Sequence, residues 1–422
     1  MKNWESANII TDVSLLDDYL TYYKHLQSKC PVFREPHYGM MMVTGHPEAV
    51  EIFQNDPKFS TCQAVGGPLH PLPFKVEGDD IRQQIKEHRH KLPWATHFIT
   101  MDEPEHHARR SILTRLLTHE RLKKNTDYMV KLADKIIDKF IDRGHCEFVS
   151  EFGQEIGTLV IADLLGVPEE DRPELVQAIG PPPGVIGKPE HKSAADPLEW
   201  LDKRFTPYLE ERREKPRGDI LSDLANSRFP DGSVPPLDEL ARIATFTFVA
   251  GQDTSVKMMT WALKFLCEFP HLQDRLRVEP NKIADFVEET LRMEAPTKQA
   301  PRTATATTTF GGVKIPAGTM SLVAFCAANR DPRVFENPDQ FDIDRPNLRE
   351  HVTFARGAHA CPGAPLARME GRVAIERFLA RMRNLRISEA KHGPPEARRF
   401  ERQPVYTVNG LLRLHIEFER HA

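Results

Sequence analysis

The chain has 422 residues, of which 40% are hydrophobic, and a formal net charge of −4. This composition is typical of a globular protein with a large core, and the charge argues against the strong positive field of nucleic-acid-binding proteins. No stretch is apolar enough to cross a membrane, and the charged N-terminal residues lack a signal-peptide pattern. We therefore expect a cytoplasmic protein with no nucleic-acid or membrane partner.

Helical periodicity dominates the chain. The predicted helices cover residues 12–29, 47–55, 105–117, 119–142, 150–165, 197–213, 237–268, 281–294 and 364–383. Strand-like patterns are confined to residues 31–45, 301–326 and 404–419, and Asn409-Gly410 in the last of them predicts a β-hairpin turn. These patterns predict a mainly α fold with small peripheral β-sheets. We expect one domain over residues 1–422, with a β-rich lobe formed mainly by the three strand regions.

Two long irregular stretches interrupt this pattern. Residues 60–97 form a connection longer than most loops of a compact domain, and they include DDIRQQIKEHRHK, which can form a short polar helix. Residues 180–196 are rich in proline and glycine and join two helical patterns. Such loops commonly act as lids or binding loops, so we expect both to border a ligand site.

The predicted helix 237–268 contains no proline and would be on the order of 45 Å long. Its middle carries AGQDT, residues 250–254. Glycine inside a helix costs up to about 1 kcal/mol relative to alanine, and threonine can hydrogen-bond back to a preceding carbonyl and bend the helix. This polar, destabilising stretch predicts that a ligand approaches the helix backbone there; a tolerated kink is the alternative.

One cysteine differs from the others through its neighbours. The six cysteines are Cys30, Cys62, Cys146, Cys267, Cys326 and Cys361. Their scattered positions, with no C-x-x-C pair, argue against a disulfide framework and a structural zinc site, and five of them resemble ordinary buried residues. Cys361 lies in FARGAHACPGAP, at the start of the predicted helix 364–383. Because free N–H groups at a helix start favour negative charge, we expect a thiolate there, as nucleophile, redox group or metal ligand.

Four motifs, in order along the chain, resemble those of the cytochrome P450 family. The first is DEPEHHARR, residues 102–110, which is similar to the D-x-P-E-H-x-x-x-R helix of soluble bacterial members. AGQDT resembles the oxygen-activating motif, and Glu289-x-x-Arg292 resembles the E-x-x-R pair, which by spacing alone would be a surface ion pair. The last motif matches F-x-x-G-x-H-x-C-x-G through Phe354, Gly357, His359, Cys361 and Gly363. The resemblance covers essentially the whole chain.

The resemblance implies the P450 triangular prism, with the long helix over a haem b and Cys361 as the thiolate ligand of the iron. Gly357 would let the loop pass close to the porphyrin, and Phe354 would pack beneath it. The N–H of Gly363 would donate to the sulfur, because the proline before it has none. Position 355 is Ala, where the family commonly has Gly, Ser, Asn or His, and Ala suits a tight loop only at negative φ.

The resemblance also assigns the groups around the haem. Its two propionates would bind cationic or imidazole side chains, namely His106, Arg110, Arg302 and His359. Ala250 and Gly251 would line the groove for oxygen, while Asp253 and Thr254 would supply protons as a relay. A zinc site formed by His88, His90, His97, His106 and His107 is an alternative use of the histidines.

A second group of residues is implied to serve folding and haem retention. Glu289, Arg292 and Arg345 resemble the buried ion network behind the proximal face of the family. Arg109, Arg356, Arg368 and Arg372 could form a basic face for an acidic electron donor, although solvated helix faces explain them equally well. Around the substrate we expect Phe246, Thr247, Val249, Gln299 and Ala300.

The implied activity is that of a monomeric monooxygenase that inserts one atom of O2 into a hydrophobic small molecule. The substrate would be a terpenoid, fatty acid, steroid or aromatic compound. Electrons would come from NAD(P)H through a ferredoxin and its reductase, since the chain is too short to carry a reductase of its own. A peroxygenase driven by H2O2 is one alternative, but in such enzymes an arginine replaces the pair Asp253-Thr254. A non-catalytic haem-thiolate sensor is the other.

Overall fold

The computed structural model of the protein describes residues 4–65, 67–178 and 197–421. Its α-helices are α1 (Leu15–Lys29), α2 (His46–Phe53), α3 (Arg82–His88), α4 (Glu105–Leu116), α5 (His119–Ile137), α6 (Gln154–Leu165), α7 (Arg172–Ala178), α8 (Pro197–Glu214), α9 (Ile220–Ala225), α10 (Leu237–Glu268), α11 (Pro270–Val278), α12 (Ile283–Met293), α13 (Phe325–Ala328), α14 (Ala364–Arg381) and α15 (Glu389–His392). The loop 180–196, expected to border the ligand site, lies outside the described residues.

Each predicted helix is present, with ends shifted by a few residues. The largest shift is in α5, which ends at Ile137 rather than 142, and the helix predicted from residue 150 begins with a π-helical turn at Val149–Gly153. The polar stretch after residue 78 forms α3, as expected. Helices α7, α9 and α11 were not predicted, because helices of six to nine residues are shorter than the window in which periodicity becomes visible.

The strands form three small sheets at the periphery of the helices. They are β1 (Val32–Arg34), β2 (Met41–Val43), β3 (Phe59–Ser60), β4 (His145–Glu147), β5 (Gln299–Ala304), β6 (Thr308–Phe310), β7 (Val313–Ile315), β8 (Met320–Ala324), β9 (Met382–Ile387) and β10 (His415–Arg420). The largest sheet has the order β1-β2-β8-β5-β3, with β2 and β8 parallel. It therefore joins two of the three predicted strand regions, whereas the region 404–419 contributes β10 to a separate sheet of order β4-β10-β9.

The turn predicted at Asn409-Gly410 is not a two-residue hairpin turn. Neither residue has the positive φ that such a turn requires. Instead, the chain closes a wider loop in which the Gln403 N–H donates to the Gly410 carbonyl at 2.9 Å. Asn409 is buried, and its side-chain amide donates to Glu294 Oε2 at 2.7 Å while its carbonyl accepts from the Trp261 indole at 2.9 Å. These tertiary contacts override the local turn preference.

Helix α10 crosses the helical part of the protein without a break over 32 residues. It packs against α6, α8, α12 and α14. The approach of α6 depends on Gly157, because a Cβ there would lie 2.8 Å from Val256 Cγ2 and 3.2 Å from the Gln252 carbonyl oxygen. The AGQDT segment is thus held rigidly on one side, and its other side is left for the cavity described below.

None of the helices in the described part of the chain is long and apolar enough to cross a membrane.

Candidate functional site

Cys361 lies where the loop 354–363 meets the N-terminus of α14. Its backbone N–H donates to the Phe354 carbonyl at 2.8 Å, which closes the loop. Desolvation inside the protein raises the pKa of the Cys361 thiol, while the backbone N–H groups of Gly363 and Ala364 and the charge of Arg110 lower it in part. The side chain itself is exposed, and the Gly363 N–H that the resemblance assigned to the sulfur is among the groups that favour the thiolate. Binding of a metal ion would itself remove the proton.

The sulfur faces a cavity of about 330 Å³. Helix α10 forms the opposite wall with Phe246, Thr247, Ala250, Gly251, Thr254 and Ser255. Further apolar walls come from α4, α6 and α14, through side chains such as Leu113, Ile161 and Leu366. A thiol and a pair of adjacent hydroxyl groups therefore share one largely apolar chamber, which is typical of an enzyme pocket.

A second cavity is larger, about 660 Å³, but it has a different character. It lies between α3 and the start of α4, and its walls carry charged groups of both signs, such as Arg82, Lys86, Asp102 and Glu105. It contains neither Cys361 nor any residue of α10. We therefore assign the chemistry to the smaller, apolar cavity.

Of the four residues predicted to bind propionates, His106, Arg110 and His359 line this cavity, and Arg302 does not line it but is near enough to His359 to lower its pKa. The rings of His106 and His359 stack with their centroids 3.8 Å apart. Arg110 donates to the Ala360 carbonyl, and the Arg302 guanidinium lies 5.1 Å from the Phe53 ring centroid. The structure thus brings α4, β5 and the cysteine loop together at this point.

Three carboxylates act on this cluster: Glu103 Oε1 lies 3.2 Å from His106 Nδ1, and the charges of Asp56 and Asp102 reach Arg302. Burial lowers the pKa of His359 to about 2, and the charges of His106, Arg302 and Arg110 lower it further. Burial also lowers the pKa of Arg302 to about 10, and its Nε has no hydrogen-bond partner among the described residues. Two guanidinium groups, two imidazoles and a buried N–H without a partner fit a group that carries two carboxylates. The residues present therefore fit the two propionates of haem b.

Gly357 has a backbone conformation and a close neighbour that both require glycine. Its φ of 71° lies in the left-handed region, and a Cβ there would be 2.1 Å from the Phe53 carbonyl oxygen. The loop thus needs glycine to pass the end of α2, and Gly357 does not line the cavity. Phe354 does line it, and the Arg368 guanidinium lies 4.6 Å from its ring centroid.

Ala355 adopts a left-handed backbone conformation, which alanine disfavours. Its φ is 55°, a region that costs an L-residue with a Cβ about 1–2 kcal/mol. Glycine avoids this strain but loses about 0.5–1 kcal/mol through its freer unfolded chain. We expect Ala355→Gly to raise the unfolding free energy by about 0.5–1 kcal/mol, measured by thermal unfolding of the holoprotein. Ala358→Gly, in the same loop at negative φ, should instead lower it; equal effects of both changes would contradict this account.

Thr254 and Asp253 face different surroundings although they are neighbours on α10. The Thr254 hydroxyl donates to the Ala250 carbonyl at 2.8 Å and lines the cavity, as the sequence predicted. Asp253 does not line it, and its side chain is 40% exposed and pairs with Lys257 one turn further on. Lys257 is itself buried, and burial lowers the pKa of its ammonium while Asp253 raises it. Sequence reasoning missed this lysine, since an i,i+4 pair usually lies in solvent.

Gly251 lines the cavity. Because it has no side chain, it also allows α10 to pack closely against α6. A Cβ at Gly251 would lie 3.2 Å from the Ile161 side chain on α6. Of the expected substrate-facing residues, Phe246 and Thr247 line the cavity, whereas Val249, Gln299 and Ala300 do not. Gln299 is instead buried, where its side-chain oxygen accepts from the Tyr23 hydroxyl at 3.1 Å. Pro296 and Thr297, a few residues earlier, take that place.

The irregular region contributes to the cavity at its end. The sequence predicts that parts of residues 63–98 face the pocket; Phe98 lines the chamber together with Ile99, whereas no other described residue of that stretch does. Phe98 packs edge to face on Phe246, with ring centroids 5.0 Å apart.

Glu289, Arg292 and Arg345 form the buried network that the resemblance implied. Arg292 and Glu289 make a bidentate pair with both N···O distances at 2.7 Å, and both side chains are fully buried. Arg292 also donates to the carbonyls of Asn329 and Pro338, while Arg345 Nε lies 3.5 Å from Glu289 Oε1. The spacing alone had favoured a surface ion pair. The pair is buried instead, because the segment 329–345 covers it.

The four arginines of the expected basic face are mostly engaged within the chain. Arg109 pairs with Glu239 at 2.8 Å, so the expectation that it is solvated is wrong. Arg368 pairs with the buried Glu288, and Arg356 donates to the carbonyls of residues 349–351. Arg372 is the most open of them, with a side chain that is 44% exposed.

The histidines do not assemble a metal centre. Within residues 4–65, 67–178 and 197–421, no group of three or more His, Cys, Asp or Glu side chains could hold a metal ion. His106 is committed to the cluster with His359, and His107 is exposed. The zinc alternative therefore has no geometric support in these residues.

Comparison with known proteins agrees with this site. The family model for cytochrome P450 matches residues 187–400. Substrate-free cytochrome P450 CYP150A6 of Mycobacterium marinum is 47% identical over the whole of both chains, with a TM-score of 0.93. The steroid C26-monooxygenase of Mycolicibacterium smegmatis is 29% identical over 87% of this chain and 86% of its own. The biotin biosynthesis cytochrome P450 of Bacillus subtilis is 27% identical over 98% and 99%.

The similarity spans the long helix, the cation cluster and the cysteine loop together, and the family model alone accounts for half of the sequence. We conclude that the chain belongs to the cytochrome P450 family and is a monooxygenase with haem b as its cofactor.

Proposed function

We propose that this monooxygenase hydroxylates a hydrophobic small molecule and receives its electrons from NAD(P)H through a ferredoxin and a ferredoxin reductase. The observation that carries the proposal is the single apolar cavity that has Cys361 on one wall and Thr254 on the other. Among terpenoids, fatty acids, steroids and aromatic compounds, steroids are the first class to test, because a relative is a steroid C26-monooxygenase.

The haem, when bound, supplies the electron transfer and oxygen chemistry that no side chain can perform. We assign its iron to Cys361 and its two carboxylates to His106, Arg110, Arg302 and His359. Phe354, Gly357 and Gly363 shape the loop that carries the sulfur. Ala250 and Gly251 have little or no side chain, so small ligands can approach the backbone of α10 there.

Thr254 and Asp253 are assigned to proton supply. The Thr254 hydroxyl, held by the Ala250 carbonyl, can hold a proton at the cavity wall. Asp253 is half-exposed, so it can exchange protons with solvent, and Lys257 fixes its carboxylate at that boundary. The apolar walls limit the water that reaches the cavity, so protons enter it mainly through the side-chain hydroxyl groups of its walls.

The direct test combines binding and turnover. Purified holoprotein is titrated with one compound of each class, and a spin-state shift in the absorption spectrum identifies those that enter the cavity. Turnover with ferredoxin, reductase and NAD(P)H should then give a product that carries one atom from isotopically labelled dioxygen. Product formed only with H2O2 would indicate a peroxygenase instead, and binding without any product would indicate a sensor.

Thr254→Ala should separate proton supply from the other steps. We expect NAD(P)H consumption to continue while product per NAD(P)H falls at least tenfold, because general-acid assistance is worth about 10²–10⁴ in rate. Thr260→Ala removes a hydroxyl of the same helix that also bonds to a carbonyl one turn back, that of Val256 at 2.7 Å, but that does not line the cavity. It should leave the coupling near that of the wild type. Equal losses in both variants would remove the relay role from Thr254.

A further inference from the structure

Two polar side chains lie against the Phe354 ring, which lines the same cavity as Cys361. The Arg368 guanidinium is 4.6 Å from the ring centroid, and the centroid of the His351 ring is 5.9 Å from it. A guanidinium within about 6 Å of an aromatic ring is attracted to its π-electrons. Phe354 is also tied to the sulfur-bearing residue through the backbone, because its carbonyl accepts the Cys361 N–H at 2.8 Å.

Glu288 of α12 binds both of these neighbours of Phe354. Its Oε1 accepts from Arg368 Nε, and its Oε2 lies 3.1 Å from Arg368 Nη2 and 3.0 Å from His351 Nε2. The side chain of Glu288 is 3% exposed, whereas that of Arg368 is 34% exposed. One buried carboxylate therefore fixes both the guanidinium and the imidazole that lie against Phe354.

The charge states in this network follow from its hydrogen bonds. The Thr353 backbone N–H donates to His351 Nδ1 at 3.3 Å, so the ring hydrogen is on Nε2, which donates to Glu288. Burial lowers the pKa of His351, and Glu288 raises it only in part, so the ring is neutral. Burial raises the pKa of Glu288, but the hydrogen bonds with His351 and Arg368 outweigh burial and bring this pKa to about 2. Glu288 is thus an ionised carboxylate, and Arg368 is the cation that it holds.

The charge of Arg368 also acts on the sulfur. Desolvation raises the pKa of Cys361, and Arg368 is among the groups that lower it in part. A group that favours the thiolate over the thiol stabilises negative charge on the sulfur, whether or not a metal ion is bound. A sulfur stabilised in this way donates less electron density to an iron, which makes the reduced iron easier to form.

We propose that Glu288 and Arg368 are positioning residues that set the reduction potential of the haem iron. Glu288 holds the guanidinium against Phe354, and the fixed cation moderates electron donation from Cys361, so the potential is more positive than it would be without the pair. A guanidinium released from Glu288 would extend into solvent, where water and salt screen its charge. The inference rests on the proposed assignment of Cys361 to the iron, and neither of the two residues lines the cavity.

The reduction potential of the substrate-free holoprotein, measured by spectroelectrochemistry at low and high salt, tests the proposal. Arg368→Gln keeps N–H donors for Glu288 but removes the charge, so we expect a more negative potential at both salt concentrations. Arg372→Gln is the matched control, since Arg372 lies one turn further along α14 and pairs with Glu376 at 3.5 Å. Because this charge is exposed, its loss should shift the potential less, and only at low salt. No shift in Arg368→Gln, or equal and salt-sensitive shifts in both variants, would overturn the proposal.

Glu288→Gln distinguishes a positioning role from a simple charge effect. Loss of a negative charge near the iron would, by itself, make the potential more positive. If Glu288 acts by holding Arg368, its loss releases the cation, and the potential becomes more negative, as in Arg368→Gln. A positive shift in Glu288→Gln would therefore contradict the positioning role.

Carbon monoxide on the reduced holoprotein tests whether the sulfur is the group affected. Stronger donation from the sulfur makes the iron more electron-rich, which weakens the C–O bond and lowers its stretching frequency. We expect a lower frequency in Arg368→Gln and Glu288→Gln, and the wild-type frequency in Arg372→Gln. An unchanged frequency in the first two variants would mean that Arg368 does not act on the sulfur, and the proposal would fail.

The same samples separate this inference from the proposals on which it rests. The far-red-shifted Soret band shows that the thiolate is bound, and its absence from the wild type would overturn both the assignment of Cys361 and the role of Arg368. With the band present, the potentials and the C–O frequencies decide the inference alone. Neither measurement requires turnover, so the proposed hydroxylation and its electron donor are decided by their own test.

Discussion

Cys361→His is expected to abolish the far-red-shifted Soret band that the reduced, carbon monoxide-bound holoprotein shows with a thiolate ligand. The reason is that the thiolate donates electron density to the iron, which a neutral imidazole does not do to the same extent. The loss should be complete, since the other cysteines lie away from the cavity walls in the described structure. The measurement is one absorption spectrum of each protein before and after reduction under carbon monoxide.

Two further results make this test decisive. Cys30→Ser keeps a donor to the Val32 carbonyl, which the thiol contacts at 3.2 Å, and should retain the band in full. Cys361→His should still bind haem, because His106, Arg110, Arg302 and His359 remain to hold its carboxylates. A band that survives in Cys361→His would mean that another group binds the iron. The assignment of the loop 354–363 as the haem-binding loop would then be wrong.

Arg292→Leu should be the most damaging change away from the cavity. It leaves Glu289 fully buried, with only Arg345 Nε at 3.5 Å and the Asp342 N–H at 2.9 Å as partners. Breaking a buried ion pair from one side costs about 3–5 kcal/mol, and the carbonyls of Asn329 and Pro338 lose their donor as well. We expect the free energy of unfolding to fall by at least that amount, and the purified protein to carry much less haem.

Arg372→Leu provides the matched control for this prediction. Arg372 also pairs with a glutamate on its own helix, Glu376, but at 3.5 Å and with a side chain that is 44% exposed. Exposed pairs of this kind contribute about 0–1 kcal/mol. Urea unfolding and haem content of the two variants should therefore differ widely. Similar losses in both would show that Arg292 acts as an ordinary surface charge.

The sequence predicted the long elements and the chemistry-bearing motifs because both depend on local patterns. The 3.6-residue period predicts both ends of α10 correctly. The spacing of Phe354, Gly357, His359 and Cys361 identifies the haem loop. Where the outcome depends on packing between distant segments, the pattern alone was insufficient. Asn409 shows this, since its contacts with Glu294 and Trp261 replace the hairpin turn that its neighbour Gly410 suggested.

The same distinction applies within the site. Thr254 is found by its motif, but the partner of Asp253 is not, because only the fold buries Lys257. The need for glycine at 357 beside α2 was also not visible, since the nearby Phe53 carbonyl belongs to a segment about 300 positions earlier in the chain. Burial is a property of the assembled helices and leaves little trace in a local pattern.

The cation cluster has a consequence for how the protein fares in a cell. Arg110 and Arg302 are cations beside the imidazoles of His106 and His359, and a ligand with two negative charges pairs with them in the folded chain. Ligands that bind the native state stabilise it in proportion to the logarithm of their concentration over the dissociation constant. Chains made when haem is scarce should therefore unfold more often and be degraded sooner, so that the supply of cofactor sets the amount of enzyme as well as its activity.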